Sequence, residues 1–229
     1  FQALRSLSFS PYRLDPETRC FLGIVLVSAA AIAVYLWQTG IYSELSTAIH
    51  FAFFNVVSVA TTTGFANTDF GQWPVFIPLY MLVLCCFATC AGSTGSGIKM
   101  MRAIVLVKQL MNELTRAVHG NAYVSVKVAG RVISTRVVFS ILTFFFVYIL
   151  MLISIMLVLC ASGLDPVTSI SAALASLSNT GPGLNEVGPA STYAVLTDFQ
   201  IWVLILAMLL GRLEIFAVFV VVTPAFWKK

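Results

Sequence analysis

Apolar stretches without charges divide this chain, and charged residues collect between them. Four stretches have the length that a helix needs to cross a bilayer core, about 20 apolar residues. They cover residues 20–43, 70–98, 137–164 and 199–227. Only the last is interrupted, by Arg212 and Glu214. We predict one membrane-spanning helix in each stretch.

Two other uncharged stretches, 45–68 and 166–185, each carry a polar cluster and end in a turn that contains glycine. We predict that each enters the membrane as a short helix and then turns back. Non-helical backbone at membrane depth is tolerated only where it is buried in protein or lines a water-filled cavity. The pattern therefore predicts a pore.

The starts of the two re-entrant helices carry capping signals. Ser43 is positioned to cap the first helix, and Asp165 followed by Pro166 gives the second an N-cap with proline at its first position. Both helices then begin at the outer face. Their C-terminal ends, which carry the partial negative charge of the helix dipole, point inward and favour a cation.

The composition supports a membrane protein. Hydrophobic residues make up 59% of the chain and charged residues 10%, which excludes a water-soluble globule. The five cysteines lie in apolar runs without paired spacing, which excludes a secreted disulfide scaffold. The formal net charge of +4 has almost no polar surface to carry it, so we expect no nucleic-acid partner.

Basic residues lie on one side of the predicted spans. Every Lys and Arg except Arg212 precedes the first span, joins the second span to the third or ends the chain. The opposite loops contain acidic residues such as Asp69 and Glu186, and no Lys or Arg. By the positive-inside rule the basic side is cytoplasmic, and both termini of this chain lie there. We expect the basic connector, 99–135, to face anionic membrane lipid. The alternative is that it forms the docking surface for a regulatory subunit.

The chain contains two copies of one unit, marked by the pairs Thr63-Gly64 and Thr180-Gly181. Both units consist of a helix, a re-entrant helix, the Thr-Gly turn, an acidic outer loop and a second helix. Glycine permits the positive φ that the chain needs after the turn. Carbonyl oxygens aimed at an axis replace the hydration shell of a monovalent cation. The alternative is that both turns are ordinary helix ends with C-cap glycines.

The second predicted span has a glycine-rich break. Residues 91–97 read AGSTGSG, and each glycine disfavours a helix by about 1 kcal/mol relative to alanine. We predict an irregular intramembrane loop beside a water-filled path. The alternative is a helix face of small residues packed against a neighbour. A phosphate-binding P-loop is excluded, because Ile98 precedes Lys99 and no strand leads into the loop.

Arg212 is the one basic residue within a predicted span, and an arginine inside a membrane needs partners. Gly211-Arg212 follows Thr180-Gly181 at nearly the interval at which Gly92 follows Thr63-Gly64, so both sites lie at similar depth. We expect the carbonyls and hydroxyls of 91–97 to be its partners. The alternative is that Arg212 extends to the cytoplasmic interface.

Four segments in this order resemble one known family: SVATTTGF at 58–65, AGSTGSGIK at 91–99, SNTGP at 178–182 and GR at 211–212. Together they resemble the Trk/Ktr/HKT potassium transporters, and among these the bacterial Trk membrane subunits. Family members carry four modules around one pore, and the two here resemble the third and fourth. The resemblance implies the missing N-terminal half of the pore and a cytosolic nucleotide-binding regulatory subunit as partners. We also expect a homodimer.

The resemblance assigns roles to individual residues. Potassium coordination falls to Thr62, Thr63, Asn179 and Thr180, with Gly64 and Gly181 completing the selectivity filter. Gating falls to the loop under the filter and to the arginine against it: Gly92, Ser93, Thr94, Gly95, Ser96, Gly97 and Arg212. In the family, glycine at the filter position accompanies potassium selectivity and serine accompanies sodium, so Gly64 and Gly181 favour potassium.

We therefore predict an all-α integral membrane protein of two tandem helix, pore-loop, helix modules, half of a four-module potassium-channel-like pore. Its parts are a cytoplasmic segment, a pore module with the loop 91–97, the connector and a second pore module: residues 1–18, 19–98, 99–135 and 136–229. Because the chain opens with Phe1 rather than methionine, we expect a fragment or a processed chain.

The expected function is potassium uptake across the plasma membrane, the bacterial inner membrane, without enzymatic activity. Potassium is the transported ion, and no covalently bound cofactor is expected. One alternative is a sodium-permeable relative of the same family. A second is an intramembrane serine hydrolase that uses Ser93 or Ser96 with a histidine as base.

Overall fold

A computed structural model describes residues 15–87, 89–93, 95–120, 124–213, 220 and 223–227. Its α-helices are α1 Pro16–Gln38, α2 Leu45–Ala60, α3 Phe76–Phe87, α4 Met100–Val118, α5 Thr135–Ala161, α6 Pro166–Ser178, α7 Asp198–Arg212 and α8 Pro224–Trp227. Short 3₁₀ helices lie at Phe70–Gln72, Asn185–Val187 and Tyr193–Val195, and a two-stranded hairpin joins β1 Lys127–Val128 to β2 Arg131–Val132. The prediction of a helical membrane fold is confirmed.

The helix lengths match the predicted layout in part. In the described part of the chain, α1 and α5 are the helices long and apolar enough to cross a membrane, judged by length and composition. Helices α2, α3 and α6 are apolar but shorter. Within the predicted span at 70–98 the described α-helix covers only α3, which follows the 3₁₀ turn at Phe70–Gln72. Most of the predicted span at 199–227 beyond Arg212 lies outside the described residues.

The helices form two units of the same order. In the first unit, α1 and α2 pack side by side, the chain turns, and α3 returns against α2. In the second unit, α6 packs between α5 and α7. Helix α3 also contacts α6, which joins the two units. Each unit has its own hydrophobic core, and Phe87 packs against both cores.

The two re-entrant helices begin differently. Asp165 caps α6 as predicted: its carboxylate accepts hydrogen bonds from the backbone N–H groups of Val167 and Thr168, both at 3.1 Å, and Pro166 occupies the first turn. The prediction that Ser43 caps α2 is wrong. Glu44 occupies the N-cap position without a side-chain capping bond, and α2 starts at Leu45. The extended backbone of Glu44 allows that start without a serine cap.

The segment between the units forms α4 and the hairpin. Val105 on α4 packs with Val126 and Val128 of the hairpin and with Val138 of α5, forming a small core of its own. Arg116 on α4 bonds to the Val124 carbonyl, Nη2 to O 2.8 Å, which ties the helix to the loop before the hairpin. The described part of the basic connector is therefore folded.

Candidate functional site

The first Thr-Gly turn leaves α2 through positive-φ backbone. Thr62 has φ +53° and Gly64 has φ +83°. The N–H of Thr63 returns to the Ser58 carbonyl at 2.8 Å, and the hydroxyls of Thr61 and Thr63 lie 2.8 Å apart. The helix therefore ends in a tight turn whose following carbonyls have left the helical pattern.

The second turn repeats this form at the end of α6. Asn179 takes the left-handed conformation with φ +54°, and Gly181 has φ +103°. The N–H of Thr180 bonds to the Ala175 carbonyl at 2.9 Å. The buried Oγ1 of Thr180 has no hydrogen-bond partner among the described residues. Both turns thus carry a threonine and a positive-φ glycine at the C-terminal end of a short apolar helix.

The two turns touch each other. A Cβ added at Gly64 would overlap the carbonyl oxygen of Thr180 and would stand 3.4 Å from Cδ of Pro182. Only glycine permits this approach, because its backbone has no side chain to fill the space. The fold therefore brings together the predicted filter residues of both repeats, which lie far apart in sequence.

The glycine-rich segment lies against both turns. A Cβ built at Gly95 would stand 3.2 Å from Oγ1 of Thr62, and Nδ2 of Asn179 donates a hydrogen bond to Oγ of Ser96 at 2.9 Å. The same Asn179 amide donates to the Met208 carbonyl on α7 at 3.1 Å. One asparagine therefore links the second turn, the predicted gate loop and α7.

The loop is non-helical, as the glycines predict. Gly97 has φ +94°, and a Cβ there would stand 2.8 Å from the Cys86 carbonyl oxygen. The N–H of Ile98 bonds to that carbonyl at 2.9 Å, and Oγ1 of Thr89 donates to the Ser96 carbonyl at 2.9 Å. Its first residues, including Gly92 and Ser93, are exposed. Thr94, also assigned to the gate, lies outside the described residues.

Arg212 is the last residue of α7 and is exposed. Its neighbour Gly211 packs against the end of α6, where a Cβ would overlap the Leu177 carbonyl oxygen and stand 3.1 Å from Nδ2 of Asn179. Gly211 therefore lets α7 approach the second turn closely. The predicted contact between Arg212 and the loop 91–97 stays a prediction.

Two side chains that bond to this site were not predicted. The Tyr193 hydroxyl, in the loop between α6 and α7, donates to the Gly181 carbonyl with Oη to O 2.7 Å. Burial raises the pKa of Tyr193 to about 12, so the hydroxyl keeps its proton and remains a donor at physiological pH. The Glu17 carboxylate accepts the Ala91 N–H at 2.6 Å. Neither contact follows from local sequence, because each joins distant segments.

Open space adjoins both turns. A cavity of about 540 Å³ lies beside the second turn and is bordered by Thr180, Gly181, Tyr193 and α7. An apolar groove of about 450 Å³ lies beside the first turn, next to Thr61 and Thr63. Phe65, at the edge of this groove, is 70% exposed. Both turns therefore have an open side in the part of the chain that the structure describes.

The geometry does not favour the serine hydrolase alternative. Oγ of Ser93 donates to the Cys90 carbonyl at 2.7 Å, and Oγ of Ser96 accepts from Asn179. The ring of His50 packs edge-on against Phe51. In the part of the chain that the structure describes, no histidine is hydrogen-bonded to either serine, and no cluster of metal-binding side chains occurs.

Comparisons with known proteins agree with this architecture. A family model described as a cation transport protein, TrkH, matches residues 4–229. The Trk system potassium uptake protein TrkH of Salmonella typhimurium is 39% identical over this whole chain, which covers 47% of that protein. The corresponding TrkG of Escherichia coli is 35% identical, with 97% of this chain and 45% of that protein covered.

A solved structure is also similar. The potassium transporter TrkH from Vibrio parahaemolyticus superimposes with a TM-score of 0.88 at 40% identity, covering 95% of this chain and 46% of that one. This chain therefore spans about half the length of the relatives that it matches. The match over nearly all of its residues, in both sequence and structure, establishes that the chain belongs to the TrkH family of cation transport proteins.

Proposed function

We propose that this chain forms half of a potassium-conducting pore that takes up potassium across the plasma membrane, the bacterial inner membrane. The observation that carries this proposal is the contact between the two Thr-Gly turns, in which Gly64 lies against the Thr180 carbonyl. Where the C-terminal ends of two pore helices meet at glycines, the backbone carbonyl oxygens after them can point towards one axis. The relatives are named potassium uptake proteins, which supports potassium as the transported ion.

The ion site would be formed by carbonyls and hydroxyls at Thr62, Thr63, Asn179 and Thr180. The amide of Asn179 already bonds to Ser96 and Met208, so this residue would contribute its backbone carbonyl. The buried, unpartnered hydroxyl of Thr180 is a candidate ligand of the second turn. The dipoles of α2 and α6 end at the turns and favour a cation there.

The loop 91–97 would act as the gate beneath this site. The approach of Gly95 to Thr62 and the bond between Ser96 and Asn179 support this role, because the loop contacts both filter turns directly. Arg212 would donate hydrogen bonds to the carbonyls and hydroxyls of the loop and so hold it in the closed position. An arginine at membrane depth gains from such partners.

The remaining modules of the pore would cover the open sides of the two turns, and complete pores would pair as a homodimer. The connector, 99–135, would face anionic lipid or a cytosolic nucleotide-binding regulatory subunit. Both termini of this chain, including the residues assigned to the cytoplasmic segment 1–18, would lie in the cytoplasm. Cysteines introduced at Asn67 and Asn185 would then react with an impermeant reagent from outside, and one at Asn121 would not.

A sodium-permeable relative is the competing function within the family. Potassium uptake by the full-length protein, expressed in cells that lack other potassium uptake, tests the proposal. We expect growth at low external potassium and little competition by sodium. If the protein took up sodium as readily as potassium, the competing function would be favoured. If substitution of Gly64 and Gly181 left the uptake of both ions unchanged, the assigned filter would be contradicted.

A further inference from the structure

Glu17 is a buried carboxylate that none of the roles above uses. It lies in the first turn of α1 and is 8% exposed. Its Oε1 accepts the backbone N–H of Ala91 at 2.6 Å, across 74 positions of sequence. This distance is typical of a charge-assisted hydrogen bond, which is stronger than a bond between neutral groups.

Glu17 lies beside the capped N-terminus of α1. Asp15 caps α1 by accepting the Thr18 N–H at 3.1 Å, which starts the helix just before Glu17. The partial positive charge of the helix N-terminus then stabilises an acidic side chain in the first turn. In the described part of the chain, no cation lies within salt-bridge distance of this carboxylate. Among the described residues, the bond to Ala91 is the hydrogen bond that this carboxylate makes.

The two halves of the loop are held differently. Residues 96–98 form the buried half. It is held by the hydrogen bond between Ser96 and Asn179 and by the bond from the Ile98 N–H to the Cys86 carbonyl. Residues 91–93 are exposed. Among the described residues, Glu17 is the one side chain outside the loop that bonds to this exposed half. If that bond is lost, the exposed half is free to move while the buried half stays anchored.

We propose that Glu17 is a positioning residue for the intramembrane loop, holding its exposed half on α1 through the Ala91 N–H. The effect on loop position follows from the contact alone. The further consequence, that Glu17 restrains conduction, rests on the proposed role of the loop as gate. The two parts therefore need separate measurements.

Cys90, next to Ala91 and partly exposed, reports the loop position without any assay of transport. Full-length protein in membranes is treated with N-ethylmaleimide, and the modified fraction of Cys90 is followed by peptide mass spectrometry, with exposed Cys20 as internal reference. Glu17→Ala should accelerate modification of Cys90 about tenfold, the change expected for losing one charge-assisted hydrogen bond. If the alanine variant does not accumulate in the membrane, Glu17→Met is used in its place, because methionine keeps the length of the side chain without the carboxylate acceptor.

Glu17→Gln separates the hydrogen bond from the charge. Its amide oxygen still accepts the Ala91 N–H, so Cys90 modification should stay within about threefold of the unmodified protein. Equal acceleration by alanine and glutamine would overturn the proposal, because charge alone would then explain it. No acceleration by either alanine or methionine would overturn it as well. Glu113→Ala, which removes an exposed carboxylate on α4, should leave Cys90 unchanged.

Potassium flux by the same full-length variants tests the consequence for conduction. Glu17→Ala should raise basal flux several-fold, and Glu17→Gln should restore it towards the original level. Faster Cys90 modification with unchanged flux would support the positioning role and contradict the loop's role as gate. Raised flux without faster modification would overturn the positioning role. These outcomes distinguish failure of this inference from failure of the proposed pore.

Discussion

The side-chain amide of Asn179 donates a hydrogen bond to Oγ of Ser96, 2.9 Å away, and so connects the second Thr-Gly turn to the glycine-rich loop. Asn179 is the C-cap of α6 in the left-handed conformation, which asparagine tolerates better than most residues. Its backbone therefore ends α6 while its side chain holds the loop. A displacement of the loop would act on the turn through this residue.

A double-mutant cycle measures that connection. Asn179→Gly keeps the left-handed backbone accessible and removes the amide, while Ser96→Ala removes the acceptor. We expect each to lower the thermal stability of the full-length protein, and the pair to lose about 1 kcal/mol less than the sum. Melting in detergent gives the stabilities, and fully additive losses would contradict the contact.

The contact between Gly64 and Thr180 predicts unequal effects at the two filter glycines. Gly64→Ser adds a Cβ that overlaps the Thr180 carbonyl at a backbone φ of +83°, so we expect about 1 to 3 kcal/mol of destabilisation and a weaker preference for potassium over sodium. A Cβ added at Gly181 would meet no atom within 4 Å, so Gly181→Ser is strained only by the positive backbone φ. Reversal potentials and melting temperatures compare the two variants. Equal effects at both positions would contradict the packing argument.

Tyr193 is expected to hold the Gly181 carbonyl in orientation. Tyr193→Phe removes the hydroxyl that bonds to this carbonyl at 2.7 Å and leaves the ring in place. We expect a lower potassium-to-sodium ratio with expression close to normal, because a neutral hydrogen bond contributes about 1 kcal/mol. Competitive uptake in the full-length protein checks the ratio. Tyr35→Phe, at an exposed tyrosine on α1, serves as the control and should leave the ratio unchanged.

The Asp165 cap predicts a pH dependence of stability. The hydrogen bond from the Thr168 backbone lowers the pKa of Asp165 below its ordinary value of 3.8. A carboxyl with a lowered pKa in the folded state contributes stability above its unfolded pKa, and that contribution is lost as pH falls through the folded pKa. Asp165→Ala should therefore lower the melting temperature at neutral pH and have less effect in acid. Asp165→Asn, which still accepts a capping bond, should lie between the two.

Local sequence signals predicted some elements and missed others for physical reasons. Asp165 and Pro166 identify the start of α6 because a cap and a first-turn proline act within one helical turn. The glycines at 92, 95 and 97 predicted a non-helical loop, but α3 already ends at Phe87, before the first of them. The start of α2 at Leu45 was missed because Ser43 is a residue type that favours the N-cap position. In the structure Glu44 occupies that position and makes no side-chain capping bond.

The long-range contacts of the site needed the structure. Tyr193 and Glu17 are ordinary outer-loop and helix-start residues by local sequence, and only the packing of distant segments brings them to Gly181 and Ala91. The repeat did predict that the two Thr-Gly turns belong to one site. It did not predict that Gly64 lies against Thr180, because two turns at the same depth in a membrane can still lie far apart in its plane.

The exposed sides of the two turns lead to a prediction about these 229 residues by themselves. A ring of carbonyls replaces the hydration shell of an ion only when it encloses the ion. Phe65 beside the first turn is 70% exposed, and the cavity of about 540 Å³ lies open beside the second. We therefore expect no potassium-selective current from this segment reconstituted alone, and a current when it is co-reconstituted with the modules that complete the pore. The matched control is the same segment with Gly64→Ser and Gly181→Ser. A potassium-selective current from the unmodified segment, abolished in that control, would show that copies of this chain close the ring themselves.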